Sequence, residues 1–83
     1  MNRNEMKIEF GSDPRNESFA RVVVASFMTR TNPTLEEVAD VKTAVSEAVT
    51  NSIIHGYGQK EGTIEIRAYI EERKLYIEVG GQA

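Results

Sequence analysis

The segment from Thr63 to Val79 restricts the fold more tightly than any other part of the chain. Two runs of alternating residues, Thr63–Glu71 and Lys74–Val79, flank the dipeptide Glu72-Arg73, the pattern of an antiparallel hairpin with one buried face. Pairing Glu71 with Lys74 sets Ile70 against Leu75, Ala68 against Ile77 and Ile66 against Val79, all on one side. The same register sets Tyr69 against Tyr76 and Arg67 against Glu78 on the other. A slip of one residue would scramble both faces, so the pattern selects its register. The tip carries neither Gly nor Asn, which leaves the turn type open.

Upstream, Met6–Phe10 alternates in the same way, with Ile8 and Phe10 on one face and Lys7 and Glu9 on the other, before Gly11-Ser12-Asp13-Pro14 breaks the strand. A first helix is predicted from Pro14 or Glu17 to Thr29. Phe19, Val22, Val23, Ser26 and Phe27 lie along its expected inner side, and either Asp13 or Asn16 could cap it. Asn32-Pro33-Thr34 ends this helix, because proline disfavours helical geometry in the residue before it. Thr34 followed by Glu37 forms a capping box for a second helix. That helix continues to about His55, where Gly56 and Gly58 flank Tyr57 and supply a C-cap. Its expected inward stripe is Leu35, Val38, Val41, Val45, Ala48 and Ser52. Strand, helix, helix, strand, strand gives an α+β fold, a two-helix layer packed on an antiparallel sheet.

Eighty-three residues suffice for one small domain, residues 1–83, but not for two. A chain of this size buries only about 60% of its unfolded surface, so a bare strand edge or apolar helix face would seek a partner, and self-association is expected. The formal net charge is −3 with acids and bases interspersed, which argues against direct nucleic-acid binding. No stretch is long and apolar enough to span a membrane, and the first residues are polar rather than signal-like. Cysteine is absent. That excludes disulfides, thiolate metal sites and a cysteine nucleophile, and fits the cytoplasm. A single histidine excludes a conventional His-rich zinc site.

The second helix carries a further stripe. Glu47, Asn51 and His55 lie four residues apart and so share a face, among the apolar Val45, Ala48, Val49, Ile53 and Ile54. The pattern predicts a mostly buried helix that opens along one line into a cavity. An asparagine amide oxygen is a good neutral ligand for Mg²⁺ bridging to phosphates. A carboxylate one turn earlier can accept the proton of a hydroxyl that attacks a terminal phosphate. By spacing alone, a solvated face carrying Glu, Asn and His is the plainer reading. Tyr69 with Tyr76 reads as a cross-strand pair, and Met28 as core filler.

The literal string adds to this. Ser46-Glu47-Ala48-Val49-Thr50-Asn51-Ser52-Ile53-Ile54-His55-Gly56-Tyr57 resembles the N-box of the ATPase/kinase superfamily of gyrase, Hsp90, histidine kinases and MutL, the Bergerat-type or GHKL fold. Within it, the chain looks most like the anti-sigma serine kinases of spore-forming bacteria. Asn4-Glu5-Met6, Asn16-Glu17-Ser18-Phe19-Ala20-Arg21-Val22 and Asn32-Pro33-Thr34 are similar to that branch in order and spacing. The resemblance implies Glu47 as general base and Asn51 as the Mg²⁺ ligand beside ATP, while His55 either lines the phosphate end of the pocket or caps or packs near the helix end. Ser52 falls near the adenine or is simply a small packed residue. It also implies Arg21 as a contact for both protein partners, sigma factor F and the anti-anti-sigma substrate, in a homodimer that keeps the sigma factor from core RNA polymerase. A sensor histidine kinase fits less well, since no phosphoacceptor histidine precedes the domain.

The chain departs from that family pattern after β-type residues 75–79. The superfamily's Asp-x-Gly-x-Gly box should follow there, yet the sequence reads Val79-Gly80-Gly81-Gln82-Ala83. The expectation is therefore an N-terminal portion of the fold, lacking its C-terminal half, in which ATP and Mg²⁺ bind weakly or not at all. An ATP-independent dimerisation or sigma-docking module is the alternative. The kinase reading falls if Glu47 and Asn51 point into bulk solvent, or are wedged against the sheet with no room for a phosphate.

Overall fold

The computed structural model describes residues 3–56 and 62–82. Their order is β1 (Arg3–Gly11), α1 (Asn16–Met28), a 3₁₀ turn (Thr29–Thr31), α2 (Leu35–Asn51), a π turn (Ser52–Gly56), β2 (Thr63–Glu71) and β3 (Lys74–Gln82). The strands form one antiparallel sheet in the order β1-β2-β3. The α+β class and the two-helix layer on an antiparallel sheet are as expected.

The hairpin register is the one its pattern selects. Glu71 opposes Lys74, Ile66 opposes Val79, and Tyr69 opposes Tyr76. The tyrosine rings stack at 4.6 Å with an interplanar angle of 13°, and the Arg3 guanidinium lies 3.8 Å over the Tyr69 ring, a cation–π contact. At the tip, Glu72 and Arg73 both take positive φ, 52° and 68°. This is the type I′ geometry whose twist suits a two-residue hairpin, adopted without the usual Asn-Gly. β3 continues beyond Val79, with Gly80 opposite Glu65 and Gly81 opposite Ile64. The two glycines are therefore strand residues.

β2 is the central strand and supplies the heart of the core. Ile64 and Ile66 are fully buried, joined by Ala20 and Val24 of α1 and Val45 and Val49 of α2. The buried face of α1 differs from the expected one. Ala20, Val24 and Met28 point inward at four-residue spacing, whereas Phe19 and Val22 are 51% and 60% exposed. α1 packs chiefly on α2, and a small residue at the contact lets two helices approach where a phenylalanine would hold them apart. Phe19 instead meets Phe10 edge-on, with ring centroids 6.3 Å apart. Met28 is core, as expected.

Neither Asp13 nor Asn16 caps α1, whose N-cap is Arg15 with no side-chain capping bond. Asp13 Oδ1 accepts from the Arg15 backbone N–H at 2.8 Å, while Asn16 Nδ2 donates back to the Gly11 carbonyl at 3.0 Å. The helix ends through the 3₁₀ turn at Asn32, which is left-handed (φ 53°), a conformation asparagine tolerates. The capping box is present in full. Glu37 N donates to Thr34 Oγ1 at 3.1 Å and Thr34 N donates to Glu37 Oε1 at 2.8 Å. The stripe of α2 holds at Val41 and Val45, but Leu35 is 90% exposed and Val49 takes a central place. Leu35 occupies the first turn, which lies clear of the core. The proposed cap at Gly58 and its neighbour Tyr57 fall outside the described residues.

Candidate functional site

The candidate site is the C-terminal half of α2, fixed from beneath by the buried Val45 and Val49. With those two inward, the helical repeat turns Glu47 and Asn51 outward, and both are exposed. Together with Ser46 and Thr50 they line a shallow depression of about 340 Å³, room enough for a phosphate. Expectation and structure part on one point. The line does not open into an enclosed cavity within a mostly buried helix; all four lining residues belong to α2, so on the described residues the depression has a floor and no opposing wall.

His55 does not join Glu47 and Asn51 there. It sits in the π turn, exposed. The wider π turn advances fewer degrees per residue than an α-helix, so a residue four places on no longer falls above Asn51. Such single π turns inside or ending α-helices recur at functional sites. Ser52 is half-buried in the same turn.

Arg21 is brought close by a second feature. A groove of about 480 Å³ runs between α1 and α2, bordered by Glu17, Arg21 and Val22 on one side and Lys42, Ser46 and Glu47 on the other. Arg21 lies 3.7 Å from Glu17, one turn earlier, a weak surface pair that leaves the guanidinium available. Ser46 and Glu47 border both the groove and the depression. The Ser46 Oγ is buried with no hydrogen-bond partner among the described residues. Lys42, Ser46 and Thr50 were not singled out from the sequence. Their signal was available in the four-residue spacing of the three, one position before the Glu47–Asn51 line.

The donor chemistry suits Mg²⁺ on one side only. A carboxylate and an amide oxygen are the hard ligands that ion prefers. No group of three or more His, Cys, Asp or Glu side chains among the described residues is placed to hold a metal. The residues therefore fit one wall of a magnesium–nucleotide site. No described helix is long and apolar enough to cross a membrane.

Comparison with known proteins decides the family. Residues 10–82 match the histidine kinase-like ATPase domain. The chain belongs to that family. Among curated relatives of this histidine kinase-like ATPase domain, the anti-sigma F factor of Clostridium kluyveri is 64% identical over 74 residues, 89% of this chain and 52% of the relative. Those of Clostridium novyi and Clostridium acetobutylicum are 59% identical over 78 residues and 60% over 79, covering 93% and 95% of this chain and 54% and 55% of theirs. The chain thus spans about half the length of the curated relatives it matches. The resemblance to anti-sigma F factors, drawn from the N-box and the helix-one string, holds.

Proposed function

We propose that this histidine kinase-like ATPase domain serves an anti-sigma factor that binds sigma factor F in the cytoplasm, as a homodimer, and blocks its association with core RNA polymerase. In the same reading it is part of an ATP-dependent serine kinase whose substrate is an anti-anti-sigma protein. The observation that supports this best is the continuity of the groove and the depression. Arg21, the partner contact, and Glu47, the general base, border one surface that runs on to Asn51. A protein docked along α1 and α2 would bring a serine hydroxyl to Glu47, which accepts its proton. Asn51 would hold Mg²⁺, and His55 would lie at the phosphate end. ATP supplies the phosphoryl group.

A chimera tests it, with these residues grafted in place of the matching stretch of the Clostridium kluyveri relative. Glu47→Ala should lower phosphoryl transfer at least a hundredfold, the scale of a lost general base, and leave sigma-factor capture unchanged. Arg21→Ala should weaken capture. Equal activity of Glu47→Ala and parent would defeat the kinase assignment.

Two observations favour a second reading for the 83 residues taken alone, as an ATP-independent docking module. The depression lacks an opposing wall on the described residues, and Val79 is followed by Gly80 where the family carries its adenine-reading aspartate. Most contacts that offset the entropy of association are then missing. Calorimetric titration with Mg-ATP should show no saturable binding at micromolar nucleotide, and a micromolar dissociation constant would refute this.

A further inference from the structure

Lys42 is half-buried on the wall of the groove between α1 and α2, and among the described residues its ammonium makes no ion pair. Partial burial of a cation is costly until an anion meets it. The groove's own acids do not supply one. Glu17 is taken up by Arg21 at 3.7 Å on α1, and Glu47 forms no ion pair among the described residues. One turn after Lys42, Ser46 lies on the same line of α2. Its Oγ is buried with no hydrogen-bond partner among the described residues, an orphan of a kind that native structures rarely leave. A mid-helix serine can return its hydroxyl to the carbonyl four residues back, here that of Lys42, and this one does not. Ser46 as a whole is only half-buried, so rotation about χ1 to another staggered well carries the hydroxyl into the groove.

Lys42 and Ser46 thus offer two donors to one stretch of the groove, with one positive charge left to balance. A carboxylate brings two acceptor oxygens and a single negative charge. A phosphoryl group, with nearly two charges, fits less well, because Glu17 and Glu47 border the same groove and oppose a dianion. We propose that Lys42 and Ser46 form a subsite for the carboxylate of an aspartate or glutamate on the docked protein substrate. The subsite fixes the substrate's register, so that its acceptor serine meets Glu47, and the chemistry stays with Glu47. The proposal rests on the kinase reading above and deepens it. Lys42 and Glu47 are separated by about 7.5 Å along the axis of α2. The acid therefore falls about two residues from the serine where the substrate segment is extended.

The Clostridium kluyveri chimera, titrated calorimetrically with its anti-anti-sigma substrate and assayed for phosphoryl transfer, tests it. Lys42→Glu should weaken affinity and raise KM at least tenfold, and Ser46→Ala should do so severalfold. Changing the acidic residues on the substrate's serine-bearing face to lysine, one at a time, should yield a variant that binds the Lys42→Glu chimera more tightly than it binds the parent. A merely structural role for Lys42 gives no such exchange. Should Lys42→Glu not fold, Lys42→Met keeps the apolar stem and should show the same weakening with a shallower dependence on salt. Unaltered affinity, an unaltered salt dependence, or the lack of any rescuing substrate variant would overturn the subsite. A parent that binds the substrate but transfers no phosphate would sink the kinase reading alone, and the affinities then decide the subsite. A parent that does not bind the substrate would sink both.

Discussion

Glu65 is the buried charged residue of the described chain, at 7% exposure, and it lies on the face of β2 opposite the helices. Burial alone would raise its carboxyl pKa. Hydrogen bonds from Arg67 at 2.6 Å and Lys7 at 3.3 Å, with the attraction of both cations, outweigh that and hold it below its ordinary value of 4.5. A carboxyl lowered in the folded state adds stability above its unfolded pKa and loses it as pH falls through the folded value. Chemical denaturation from pH 6 downward should therefore show the parent losing stability below about pH 5 and Glu65→Gln losing less over the same interval. Parallel pH profiles would refute the assignment. Asp13 behaves likewise, held at about 2 by its bonds from Arg15. A different residue-scale strain sits at the hairpin tip, where Arg73 holds φ at 68°. Left-handed geometry costs a non-glycine residue about 1 kcal/mol, so Arg73→Gly should raise the melting temperature by about 4–8 °C. A fall would show that Arg73 contributes more by its side chain than its backbone costs.

At the scale of elements, legibility followed whether each face of an element had its own kind of residue. The hairpin was readable because isoleucine, alanine and valine fill one face and charged or tyrosine residues the other, so only one register sorts them. α1 was not, because it carries two apolar stripes. Phe19 and Val22 give the stronger hydrophobic signal, but Ala20, Val24 and Met28 give the closer fit to α2, and interhelical distance is decided by volume. The candidate site divided in the same way. Glu47 and Asn51 were legible from four-residue spacing within a continuous helix, whereas periodicity carries no mark of the π turn that takes His55 off their line. α2 itself was announced by its capping box, which yields an element-scale prediction. Thr34→Ala should destabilise the fold by about 1 kcal/mol. The Thr34 backbone N–H and hydroxyl both hold the Glu37 carboxyl below its ordinary value, so part of that difference should vanish in acid, as Glu37 becomes protonated in both proteins. A difference independent of pH would assign the effect to Thr34 alone.

As a whole the molecule is a thin plate, 38 × 27 × 15 Å, with a radius of gyration of 12.9 Å, against about 12 Å for a typical domain of this length. Its two helices cover one face of the sheet, and among the described residues the other face carries salt bridges, the Tyr69–Tyr76 stack and the Arg3 guanidinium over Tyr69. A core so shallow leaves little margin. Total stability for this length is about 4–12 kcal/mol, and Ile66→Ala, which empties the centre of β2, should remove about 3 kcal/mol of it. Marginal single chains gain from any association that the folded form alone can make. If the chain forms the proposed homodimer, unfolding of the plate is coupled to dissociation, and melting must depend on concentration. A hundredfold rise in chain concentration should then stabilise the dimer by about 2.7 kcal/mol, visible as a rise of several degrees in the melting temperature. A parent whose melting temperature stays constant over that range would show that the plate stands as a single copy, held by its shallow core and by the charges on its open face.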